Sequence, residues 1–231
     1  LWHTRRADHG PSFEIIPDGY AEIIFYFGSC YLDGMPLPSP FLMGLLNQPL
    51  QLTTDGVLDV IGIRCYPWTV FDLLGLPADK DGLRVFEHPV AVLQPALQTC
   101  VAEGRIEDAV ARLADYFSGA QPAAVDPTLF KAGAAMLAAR GVLPVSQVAA
   151  AAHATVRTLE RKFKQSSGHT VKDVSGLMRF EQARNRLWRA PDANLAELAQ
   201  ALGYADQSHL SREFKRYSGM TPAAFARKRR P

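Results

Sequence analysis

Arginine and lysine recur at matched places in a duplicated segment of this chain. LERKFKQSSGHT, from Leu159, returns 51 positions later as LSREFKRYSGMT, from Leu210, with seven of twelve residues identical, so Arg161 and Lys164 reappear as Arg212 and Lys215. A guanidinium presents a planar fork of donors that pairs bidentately with a guanine edge, a phosphate or a carboxylate, whereas an ammonium is a compact charge suited to a phosphate. On a helical wheel Phe163 falls about 40° from Leu159, while Arg157, Arg161 and Lys164 fall about 140–200° away. One face is apolar and the other cationic. The second copy repeats the pattern, with Leu210 and Phe214 inward and Ser208, Arg212 and Lys215 outward.

Residue types that support other chemistry are not arranged for it. His3, His9 and His88 are the front-half histidines and none is paired at metal-ligand spacing. Cys30, Cys65 and Cys100 form no CxxC pair and are too few for a disulfide scaffold, which points to a reducing, cytoplasmic setting. No Gly-rich phosphate loop and no Gly-x-Ser-x-Gly occurs. The chain is therefore expected not to be an enzyme and to carry no metal or cofactor. A Cys-His nucleophile pair can be drawn from Cys65 or Cys100 with His88, but no motif supports it; the competing reading is a DNA-repair or thiol-sensing protein with a reactive cysteine in its front half.

The elements that position the duplicated segment follow from composition and punctuation. The chain has 231 residues, 48% of them hydrophobic, enough for one large or two ordinary domains. Its net charge of +2 conceals an asymmetry. Residues 1–121 hold 7 Lys/Arg against 15 Asp/Glu, a charge of −8, and residues 122–231 hold 18 against 8, a charge of +10. A polyanion would meet the back half. No run of 18 apolar residues and no charged leader is visible, so neither a membrane span nor a signal peptide is expected. The sequence starts at Leu1 rather than Met, which leaves open a segment upstream.

The front half reads as strands: YAEIIFYFG (20–28) after the PDG turn signal at 17–19, a short strand near Phe41, and two runs in 51–66 flanking Asp55-Gly56, expected as a hairpin. A short helix over 68–75 and two helices over 96–117, broken at Gly104, follow. SGAQPAAVDPT (118–128) is a linker, which divides the chain into a β-rich sensor or regulatory domain, 1–121, and a helical domain, 122–231. Helices are expected over 128–139, 145–152, 155–166, 171–190, 194–201 and 206–217, with a last short one after Thr221-Pro222. The fold class is thus an α+β front domain, barrel- or sandwich-like with trailing helices, then an all-α domain.

Each copy of the segment follows a short alanine-rich helix and a tight turn, with Thr155 or Asp206 as the N-cap. That is the helix-turn-helix unit, whose second helix enters the DNA major groove. The second turn, Gly203-Tyr204-Ala205, supplies glycine at the corner; the first, His153-Ala154, is one residue shorter and has histidine there.

At this level the chain resembles the AraC/XylS-type transcriptional regulators of bacteria over about residues 126–228, through TVRTLERKF and GHT in the first unit, GYADQSHLSREFKRYSGMTPAAF in the second, and RFEQARNRL on the connecting helix. The resemblance implies two helix-turn-helix units joined by one long helix, reading successive major grooves of double-stranded DNA. It carries base contacts onto Arg157, Glu160 and Arg161 in the first recognition helix and onto Gln207, Ser208, Ser211 and Arg212 in the second. Arg suits guanine, Gln suits adenine, and Glu can accept from cytosine N4. Lys164, Lys215 and Arg216 suit phosphate contacts, and the RKRR tail at 227–230 suits solvent better than DNA. PDGYAEIIF is similar to the start of a β-rich front domain of poorly defined function found in one branch of these proteins. A front domain of this kind implies modulation by a small-molecule effector or by homodimer formation, with Phe25, Phe27, Tyr66 and Trp68 as candidates for lining an effector site.

Overall fold

The computed structural model describes residues 1–6, 12–70, 74, 82–85, 87–119 and 126–228. Strands come first: β1 (Trp2–Arg6), β2 (Ser12–Ile15), β3 (Ala21–Phe27), β4 (Tyr31–Leu32), β5 (Met35–Pro36), β6 (Phe41–Met43), β7 (Leu50–Thr53), β8 (Leu58–Cys65) and β9 (Leu83–Arg84). They build two antiparallel sheets, of order β1-β8-β3-β6-β9 and β2-β7-β4-β5, packed as a sandwich and not closed into a barrel. The expected hairpin over 51–66 does not form. β7 pairs with β2 and β4 in the smaller sheet, while both edges of β8 are taken by β1 and β3 in the larger. The Asp55-Gly56 corner carries the chain from one sheet to the other. Alternation fits either outcome, because Leu52 and Leu58 both turn into the same inter-sheet core.

Side chains alternate along β3 and serve two cores. Ala21, Ile23 and Phe25 pack with Val90, Leu97, Cys100, Ala109 and Leu113, beneath the 3-10 turn Pro89–Leu93 and the helices α1 (Gln94–Ala102) and α2 (Ile106–Gly119). Ile24 and Tyr26 face the second sheet with Phe41, Met43, Leu52 and Leu58. The break expected between the two helices is present at Gly104. Half of the helix expected over 68–75, and residues 120–125 of the linker, lie outside the described residues.

The remainder is helical: α3 (Pro127–Ala138), α4 (Val145–Ala151), α5 (Val156–Ser167), α6 (Val171–Arg189), α7 (Leu195–Ala201), α8 (Gln207–Ser218) and α9 (Pro222–Arg227). Side-chain caps at Asp126, Thr155, Thr170, Asn194, Asp206 and Thr221 set six of these starts, and at Thr170 a reciprocal capping box with Asp173 opens the long helix α6. Its Phe180 ring meets Phe214 and Tyr217 of α8 at 5.1 and 5.2 Å, which fixes the second unit to the connecting helix.

The front domain contributes side chains to this helical core. Trp68 and Leu45 belong to the same buried cluster as Leu129, Phe163 and Leu177. The Trp68 ring stacks on Tyr66 at 5.1 Å and tilts against Phe163 of α5 at 5.7 Å. Gly133 of α3 lies directly against the indole: a Cβ there would stand 2.3 Å from Trp68 Cζ2, so the close approach requires glycine. Among the described residues no helix is long and apolar enough to cross a membrane.

Candidate nucleic-acid interface

Both helix-turn-helix units close their turns with the same pair of backbone bonds. In the second, Gly203 N donates to Gln200 O (3.1 Å) and Tyr204 N to Ala199 O (3.0 Å). In the first, His153 N donates to Ala150 O (3.0 Å) and Ala154 N to Ala149 O (2.9 Å). Gly203 sits at φ +70° and His153 at φ +52°, so the histidine adopts the left-handed conformation that glycine supplies in the other copy. The caps also match: Thr155 Oγ1 accepts from Thr158 N (3.1 Å) and Asp206 Oδ1 from His209 N (2.7 Å). The departure of the first unit is thus one of residue type and length, and its geometry is preserved. A side chain in the left-handed region costs about 1–2 kcal/mol, and glycine gives back part of that through its freedom in the unfolded chain. Because His153 is exposed, His153→Gly is expected to raise unfolding stability by about 0.5–1 kcal/mol in urea denaturation. A loss of stability would show that the imidazole makes a compensating contact.

The capped helices α5 and α8 bury Leu159, Phe163, Leu210 and Phe214 and leave a polar face outward. Arg157, Arg161 and Lys164 are exposed on α5, and Gln207, Ser208, Arg212, Lys215 and Arg216 on α8, with Ser211 half-buried. Among the described residues Arg157 and Arg212 have no hydrogen-bond or ion-pair partner, and Arg161 Nη1 donates to Gln165 Oε1 one turn on (3.0 Å). Glu160 is placed differently from its neighbours: half-buried, its Oε2 accepts from Val171 N (3.3 Å), tying the first recognition helix to the start of α6. Arg216 lies over the Tyr217 ring at 4.3 Å and donates to its hydroxyl. Lys164 and Arg216 border a crevice of about 440 Å³ whose far wall is Asn47 and Gln48 of the front domain.

One anchor of the second unit was not anticipated from the sequence. Arg179 of α6 donates to Gly141 O (3.0 Å) and to Glu213 Oε2 on α8 (3.5 Å), and lies over the Tyr204 ring at 5.2 Å. The signal was its position: a single arginine between Met178 and Phe180, both core residues of the same helix.

The front domain holds a cavity of about 480 Å³ between its sheets, lined by apolar side chains of β3, β6, β7 and β8 and by a polar group comprising Asp18, Glu22 and Arg64. Phe25, Phe27, Tyr66 and Trp68 do not line it. Alternation turns Phe25 and Phe27 toward the helix-covered face, and Trp68, with Tyr66 stacked on it, is turned toward the helical domain. Tyr26, between the two phenylalanines, does reach the cavity. Burial pushes the Cys30 and Cys65 thiols up to about 11, which keeps them protonated at neutral pH and poorly nucleophilic. Cys100 is buried in the helix-covered core. Among the described residues no group of three His, Cys, Asp or Glu is placed to hold a metal ion.

Two capped, positively faced recognition helices on one connecting helix define a protein with a double helix-turn-helix domain. A family described as a helix-turn-helix domain matches residues 148–228, and a family described as a domain of unknown function (DUF6597) matches residues 1–81. Residues 148–228 thus carry a helix-turn-helix domain. The chain is 33% identical over 82 residues to the HTH-type transcriptional regulator RipA of Corynebacterium diphtheriae, covering 36% of this chain and 24% of that protein. It is likewise 33% identical over 67 residues to the HTH-type transcriptional activator RhaS of Pectobacterium carotovorum, covering 29% of this chain and 24% of the relative. The chain therefore spans about a quarter of the length of these relatives. Over 97% of this chain and 96% of the other, the fold is similar to that of ToxT from Vibrio cholerae, with a TM-score of 0.53 and 11% identity.

Proposed function

We propose that this chain is a sequence-specific DNA-binding transcriptional regulator whose two recognition helices read successive major grooves, about 34 Å apart on the duplex. The observation that carries this is the duplicated unit itself: the same turn bonds, the same cap and an outward cationic face, built twice on one connecting helix. Arg157 and Arg161 are assigned to base edges in the first groove, and Gln207, Ser208, Ser211 and Arg212 in the second. Glu160, held to Val171 N, contributes first by positioning its helix and meets a base only if that bond is exchanged. Lys164, Lys215 and Arg216 are assigned to phosphates. The division at about residue 121 separates this reader from the domain that modulates it.

Modulation is assigned to a small molecule in the sheet-to-sheet cavity. One solved structure of ToxT is of its unsaturated fatty acid-bound form. Here the polar end of the cavity is built into the contact with the reader: Asp18, paired with Arg64 at 2.9 Å, stands in the Pro17–Tyr20 turn. That turn rests on α6, where Arg184 Nη1 donates to Pro17 O (3.3 Å) and Leu177 and Met178 lie against Gly19. A change in how Arg64 is engaged reaches the helix that joins the two units.

The test is selection of bound duplexes from a random pool by the full chain. Enriched sequences should contain two conserved blocks about 10 base pairs apart, and affinity should fall steeply as salt is raised, through release of counterions from the phosphates. A folded protein that enriches no sequence above the starting pool would end this reading.

A further inference from the structure

We propose that the cavity between the two sheets takes an apolar molecule carrying one cationic or hydrogen-bond-donating nitrogen, which binds at Glu22. This names the ligand class of the effector site proposed above and rests on that reading. Its volume of about 480 Å³ falls in the range of small-molecule sites, about 300–1,000 Å³. The walls include Ile24, Phe41, Met43, Leu52 and Leu58, so most of an occupant must be hydrocarbon.

The polar end is short of donors. Glu22 is only 6% exposed, and the two hydrogen bonds it accepts both land on Oε1, from Trp2 Nε1 (3.1 Å) and Arg64 Nε (2.8 Å). Among the described residues nothing donates to Oε2. Arg64 is shared with Asp18, whose Oδ2 accepts from its Nη2 (2.9 Å), and its guanidinium lies over the Tyr20 ring at 4.7 Å. At this end of the cavity one guanidinium serves two carboxylates. The other two arginines of the lining are engaged elsewhere: Arg5 with Asp59 (3.9 Å), Arg6 with the Phe13 ring (4.7 Å) and Ser12 O (3.3 Å). Glu22 Oε2 is therefore an acceptor left for a ligand N–H. A carboxylate ligand would instead bring a further negative charge to the same place. Burial raises the pKa of Glu22 above its ordinary range.

The experiment titrates the full chain at neutral pH with three matched probes, 4-phenylbutylamine, 4-phenylbutan-1-ol and 4-phenylbutanoate, by calorimetry. The amine is expected to bind about tenfold or more tighter than the acid, and Glu22→Gln to remove that preference. Val60→Trp, which fills the cavity, should abolish amine binding while the circular dichroism stays that of the parent. Equal or tighter binding of the acid, or an amine preference that survives Glu22→Gln, overturns the ligand class, as does a folded parent that binds none of the three. DNA affinity measured with each probe separates this from the effector reading. An amine that binds at Glu22 and leaves DNA affinity unmoved sustains the ligand assignment and removes the regulatory one; an acid that binds tighter and moves DNA affinity does the reverse.

Discussion

Trp68→Ala is expected to lower unfolding stability by about 3–5 kcal/mol and to split one cooperative transition into two. The indole is 3% exposed, stacks on Tyr66, and packs against Phe163 from the first recognition helix and Gly133 from α3. Removing it opens a void whose walls belong to two separately built domains. Such a void cannot collapse by a local shift of one side chain, so the cost should sit at the upper end for a large-to-small core change. With Trp68 gone, what remains across the boundary is mainly the Pro17–Tyr20 contact with α6 and the smaller Leu45 contact. Calorimetry reads both effects, since a single transition becomes two when the domains no longer share a core. A loss under about 1 kcal/mol, far below the range for a buried tryptophan, would mean that the indole is not the link between the front and helical domains.

The helical half was legible because its information is local. Thr155, Thr170, Asp206 and Thr221 announce helix starts within a few residues of the groups they cap, and the expected ends fall within two residues of those observed. The outward faces of α5 and α8 could be read from helical periodicity, for the same reason. The front half was legible as strands but not as a topology: alternation in 51–66 reports that Leu52 and Leu58 are buried, and is silent on which strand lies alongside. The same period-2 rule reassigns the aromatic candidates, since Phe25 and Phe27 lie on one face of β3 and Tyr26 on the other. The Glu22 site was not legible at all. It joins Trp2, Asp18, Glu22 and Arg64, which β1, the turn before β3, β3 and β8 bring together, and no sequence spacing connects them. Glu160 shows the complementary case: a residue on the right face, half-buried by a bond to Val171 N that depends on how the next helix begins.

Arg212→Ala should relax specificity at one base pair and weaken binding to the selected sequence by about 1–3 kcal/mol, the value of one bidentate arginine–guanine pair. Arg212 is exposed on α8 and, among the described residues, has no partner to surrender before meeting a base. Lys215→Ala, one turn further along the same face, should weaken all sequences alike and lower the slope of log affinity against log salt by about one. Together these separate reading from holding. Arg161→Ala extends the test to the first unit, where the guanidinium bonds Gln165 in the free protein and must exchange that bond for a base. Because the His153 turn closes with the same two bonds as the Gly203 turn, Arg161→Ala should lose discrimination in a block about 10 base pairs from the one Arg212 reads. Footprints unchanged in all three variants, with helical content intact, would make the duplicated face a solvated exterior. Loss confined to Arg212 would mean instead that one unit reads while the other only supports it.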